Sequence, residues 1–67
     1  MKKIKQYKKW GIYKATDKEK RDYGVTSEYY LIHPETMECQ NGLRFEPSDA
    51  DWECDTMEEC TEWINNY

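Results

Sequence analysis

Hydrophobic and polar positions alternate with a period of two over residues 9–15, placing Trp10 and Ile12 on one side and Gly11, Tyr13 and Ala15 on the other. That is the pattern of a half-buried strand. Residues 16–22, holding Lys18, Glu19, Lys20 and Arg21, show no apolar period and read as a solvated loop within a hairpin. A second strand is expected over residues 27–33, rich in β-favouring Tyr and Ile. Pro34-Glu35-Thr36 reads as a turn, because proline presets φ for a type I corner and Thr bonds locally. Asn41-Gly42, two residues that tolerate positive φ, predicts a tight hairpin between residues 37–40 and 43–46, with Leu43 and Phe45 on one face. Residues 47–51 then close the sheet region and lead into an acidic loop.

The C-terminal segment carries a helical period. Asp55 followed three residues later by Glu58 is a variant capping box in which Asp replaces the usual Ser or Thr. In a helix over residues 56–65, Met57, Cys60, Trp63, Ile64 and Tyr67 fall within an arc of about 120°, opposite Glu58, Glu59, Glu62, Asn65 and Asn66. Together these elements predict a single α+β domain spanning residues 1–67, a small antiparallel β-meander of three to four strands covered on one face by one C-terminal helix. Residues 1–8 read as a basic arm free to flex. The expected core is Trp10, Ile12, Tyr29, Leu31, Leu43, Phe45, Met57, Cys60, Trp63 and Ile64, which leaves Tyr13 and Tyr30 on an open sheet face.

Composition changes the picture in two respects. Branched aliphatics are sparse, but three Trp, six Tyr and one Phe supply large rings, each burying on the order of 150–250 Å². Charge is divided unevenly. Residues 1–21 hold nine Lys/Arg against Asp17 and Glu19, a balance of +7, whereas residues 22–67 hold Arg44 against twelve acids, a balance of -11; the total is the formal -4. Such a split makes a folded molecule an electrostatic dipole. The longest apolar run, Tyr29-Tyr30-Leu31-Ile32, is far below the roughly 20 residues of a membrane span, and Lys5, Gln6, Lys8 and Lys9 interrupt any signal-type apolar stretch. The expectation is a cytoplasmic protein with no membrane partner, and the odd set Cys39, Cys54 and Cys60 reads as reduced thiols.

Candidate chemistry is thin. His33, Cys39, Cys54 and Cys60 lack the Cys-x2-Cys knuckle of a zinc site. Asp49, Asp51, Glu53 and Asp55 alternate as in a calcium loop, but its sixth and twelfth positions would be Cys54 and Cys60 instead of Gly and Glu. One histidine, no Gly-rich phosphate cradle and no nucleophile elbow point to a non-enzymatic protein without metal or cofactor.

The remaining readings concern partners. Asp49, Asp51, Glu53, Glu58, Glu59 and Glu62, punctuated by Trp52, form a candidate docking surface for a host protein with a basic, nucleic-acid-handling groove, the carboxylates standing where phosphates would and Trp52 acting as anchor. The alternative is a nucleic-acid-binding module in which Lys5, Lys8, Lys9 and Arg44 meet phosphates and Tyr13 and Tyr30 stack on bases. A monomer, or a homodimer joined through the open sheet face, is expected. The string Trp52-Glu53-Cys54-Asp55-Thr56-Met57-Glu58-Glu59-Cys60-Thr61-Glu62-Trp63-Ile64 resembles the acid-capped helix that ends many tiny ββα proteins of phages and mobile elements. That resemblance implies an accessory or inhibitor protein acting in a host cytoplasm.

Overall fold

The computed structural model describes residues 1–39 and 45–67. Its centre is the expected pair of strands, β2 (Trp10–Lys14) and β3 (Tyr29–Ile32), antiparallel with Ile12 opposite Leu31 and Tyr13 opposite Tyr30. Two flanking strands complete a four-stranded antiparallel meander in the order β1-β2-β3-β4. The basic segment read as an arm forms β1 (Lys2–Tyr7), an edge strand paired with β2. The acidic stretch read as a loop contains β4 (Trp52–Cys54), paired with β3 at the opposite edge. The β1–β2 turn is Lys8-Lys9, with φ of 48° and 71°. Both residues occupy the left-handed region that two-residue hairpins require, a position usually given to Asn or Gly.

Two helices replace predicted irregular segments. Most of residues 16–22, expected as loop, belongs to α1 (Asp17–Tyr23). A full capping box starts it: the Glu19 N–H donates to Thr16 Oγ1 at 3.1 Å, and Glu19 Oε1 accepts the Thr16 N–H at 3.1 Å. Gly24 stops it in the left-handed conformation, φ 65°, with its N–H bonded to the Lys20 carbonyl. Pro34-Glu35-Thr36, expected as a turn, opens α2 (Pro34–Cys39). Proline serves at a first helical position, where no N–H is needed, and His33 Nδ1 accepts the Glu35 N–H at 3.1 Å. Met37 therefore belongs to a helix and not to the expected strand over 37–40. Asn41, Gly42, Leu43 and Arg44 lie outside the described residues. After a short 3-10 turn (Pro47–Asp49) and β4, the C-terminal helix α3 (Met57–Asn65) is found as expected. Its cap is one residue later than predicted: Thr56 Oγ1 accepts the Glu59 N–H at 3.2 Å, displacing Asp55 from that role.

The sheet is covered on both faces. On one, Trp10, Ile12 and Leu31 pack with Cys54, Cys60 and Ile64, joined by partly buried Tyr7, Tyr29, Met57 and Trp63. On the other, Tyr13, Ile32 and Phe45 cluster with Met1, Met37 and Ala50. Phe45 thus belongs to the second layer and not to the one beneath α3. Gly11 makes the second layer possible, because a Cβ there would sit 2.6 Å from Met37 Sδ and 2.7 Å from Tyr13 Cε1. The expected open tyrosine face does not exist: Tyr13 is 8% and Tyr30 1% exposed, and a homodimer through that face has no free surface to use. Among the described residues, no helix is long and apolar enough to cross a membrane.

Candidate docking surface

The two-residue period of β4 sets the chemistry of the β4 edge. Cys54 points into the layer beneath α3, so Trp52, two residues earlier, lies on that same side, and Glu53 lies on the other beside Tyr30. β4 ends before α3 begins, leaving the Trp52 ring half exposed at 49%. It stacks on Trp63 of α3, centroids 5.4 Å apart and planes 10° from parallel. Trp63 in turn meets buried Trp10 edge-on at 5.3 Å. The outer indole is therefore held flat by a ring anchored to the core.

A covalent tie reinforces this arrangement. Cys54 and Cys60 are joined as a disulfide, their Cα atoms 6.0 Å apart, clamping β4 to the first turns of α3. This corrects the expectation of reduced thiols at both positions. The pairing was hidden in the sequence because an odd cysteine count and a five-residue gap suggest no framework. It also removes both sulfurs from the zinc ligand set considered above. Among the described residues, no three His, Cys, Asp or Glu side chains converge as a metal site.

Carboxylates surround the tryptophan pair. Trp52, Cys54, Glu59, Glu62, Trp63 and Asn66 line a shallow depression of about 300 Å³. A neighbouring one of about 430 Å³ is bordered by Asp51, Glu53, Asp55 and Glu59 as well as Trp52. Asp51, Trp52, Glu53, Glu59 and Glu62 thus border one or both of these depressions. Asp49 is used locally instead, its Oδ2 accepting the Glu46 N–H at 2.9 Å. Glu58 is exposed on α3 but lines neither depression. Among the described residues, ion pairs involve only Met1 with Glu19 and Lys14 and Lys20 with Glu28. None reaches the carboxylates of this surface.

The residues of the nucleic-acid reading separate. Lys5, Lys8 and Lys9 are exposed on β1 and its turn, with the Lys5 and Lys8 ammonium groups 5.7 and 5.8 Å from the Tyr7 ring centre. Tyr13 and Tyr30 are buried and cannot stack on bases, and Arg44 lies outside the described residues. The Tyr30 hydroxyl is enclosed with no hydrogen-bond partner among the described residues. Burial first, then the carboxylates of Glu53, Glu28, Asp55 and Glu19, pushes its pKa up. Sequence reasoning did not group His33, Glu35 and Tyr67 with this region; they follow β3, open α2 and follow α3 respectively, and meet beside Trp63. Comparison of the chain with protein-family models, curated proteins and solved structures gives no match.

Proposed function

We propose that this chain is a non-enzymatic docking module that binds a basic surface of another protein through the acidic, Trp52-centred edge of its sheet. The observation that carries this reading is the exposed Trp52 ring, held flat on Trp63 and ringed by Asp51, Glu59 and Glu62 with no cation paired to them among the described residues. A rigid aromatic supplies contact area at little entropic cost and is a typical interface hot spot. Surrounding carboxylates accelerate encounter with a basic partner and repel acidic ones. The resemblance of the C-terminal segment to small phage and mobile-element proteins agrees with an accessory protein that occupies a host's nucleic-acid-binding groove.

The test is capture from host lysate, with nuclease added, followed by direct titration of the purified captured protein. Trp52→Ala should weaken binding by roughly 30-fold or more, and Glu59→Lys/Glu62→Lys should slow association and reduce its salt dependence. Unchanged affinity in both variants would refute the proposed surface. Salt-sensitive binding of oligonucleotides that disappears when Lys5, Lys8 and Lys9 are changed to Gln would favour the nucleic-acid reading instead.

A further inference from the structure

Trp63 also borders a further depression, which shares only Asp51 with the acids just described. This one has a volume of about 410 Å³ and is lined by His33, Glu35, Thr36, Asp51, Trp63 and Tyr67. Its aromatic wall is fixed from behind by buried Trp10, which meets His33, Tyr67 and Trp63 edge-on at 4.9, 5.0 and 5.3 Å. Tyr67 lies 5.3 Å from Trp63, tilted 37°, and 5.8 Å from His33. Two carboxylates, Glu35 and Asp51, are exposed in the same depression, and neither has an ion-pair partner among the described residues. Among the described residues, the lysines that lie over aromatic rings use Tyr7 and Tyr29, and none lies over this wall.

We propose that this depression is a subsite for one arginine side chain of the partner protein, its guanidinium stacked on Trp63 and Tyr67 and bonded to Asp51 and Glu35. The inference rests on the docking reading, to which it adds the chemistry of the contact. Aromatic faces attract cations, and a planar guanidinium also stacks on them while offering paired donors to a carboxylate. An ammonium is a compact, strongly hydrated charge that uses the carboxylates but not the flat face. A methylated ammonium needs rings standing around an empty centre; here Trp63 and Tyr67 pack against each other with planes 37° apart, and His33 meets Tyr67 edge-on, so the rings present a surface instead. A phosphate is excluded by the two acids. Asp51 borders both this subsite and the Trp52 surface, so one partner segment can fill both.

The experiment titrates the full chain with N-acetyl-arginine methylamide, its lysine counterpart and its neutral citrulline counterpart, following amide and aromatic NMR signals at low salt. The expected result is saturable shifts at the Trp63 indole N–H and the His33 and Tyr67 rings with the arginine compound, weaker ones with lysine and none with citrulline. Asp51→Asn/Glu35→Gln and, separately, Tyr67→Ala should each lower the arginine affinity about three- to tenfold, with melting temperatures confirming that both variants fold. Shifts equal for arginine and citrulline, shifts centred away from these rings, or an arginine affinity unchanged in both variants would overturn the subsite. Partner capture that persists without any arginine response would refute the subsite alone. An arginine response that persists while Trp52→Ala leaves partner affinity unchanged would refute the docking reading alone.

Discussion

At the scale of single residues, Tyr30 and Trp52 show how burial decides what an aromatic ring does. Both sit on neighbouring strands, yet Tyr30 is 1% exposed and Trp52 49%. Tyr30 lies opposite Tyr13 in the strand register, and its hydroxyl is enclosed without a partner among the described residues. An unpaired buried hydroxyl costs about 1–3 kcal/mol. Tyr30→Phe removes that group while keeping the ring, so it should raise stability by about 1 kcal/mol in urea unfolding; a loss of that size would show that the hydroxyl is bonded. The sequence already separated the sides of β2, since alternation put Trp10 and Ile12 opposite Gly11, Tyr13 and Ala15, and the two core layers divide Trp10 and Ile12 from Tyr13 in that way. It could not say that the tyrosine side is covered. That depends on Met37 crossing Gly11, a contact between residues 26 positions apart.

At the scale of elements, legibility followed the strength of the local period. α3 was visible because it buries one stripe and shows water another, and β2 because its side chains alternate with a period of two, although both of its sides are buried. β1 was not: five of its six residues are exposed, so it alternates nothing, and its turn is made by two lysines in place of Asn-Gly. α1 buries no residue and therefore has no apolar stripe, but Thr16 with Glu19, and Gly24 beyond, carried the start and stop signals of a helix. β4 has only three residues, too few for a period. Its position is secured by its ties, above all the Cys54–Cys60 bond to α3. Closing a loop this short is worth about 2 kcal/mol through the unfolded chain. Cys54→Ala/Cys60→Ala, or reduction of the native chain, should therefore cost about that much and loosen the Trp52–Trp63 stack, seen as a weaker indole exciton couplet in far-UV circular dichroism. Melting and spectra unaffected by reductant would argue against the bond.

At the scale of the whole molecule, meander order converts the charge asymmetry of the chain into geometry. Sequential pairing puts lysine-rich β1 at one sheet edge and β4, flanked by Asp51 and Asp55, at the other. The uneven charge was legible in the sequence; its separation in space required knowing that β1 is a strand. Opposite charges do meet near the basic half, and those contacts predict a response to acid. Burial alone would raise the Glu19 carboxyl, but hydrogen bonds from the Met1 ammonium and Thr16, with attraction to that ammonium, outweigh it and hold the pKa below the ordinary 4.5. Glu28 is held low first by its hydrogen bond from Lys20 and then by the attraction of the Lys20 charge. A carboxylate with a depressed folded-state pKa contributes stability that is complete above its unfolded value and disappears as pH falls through the folded one. Wild-type protein should therefore melt above Glu19→Gln/Glu28→Gln at pH 7, with the gap closing as pH drops below about 4.5. Thermal melts of both proteins from pH 7 to about pH 2 measure that gap directly. A gap that stays constant across the range would mean that packing, and not charge, joins α1 to the rest of the fold.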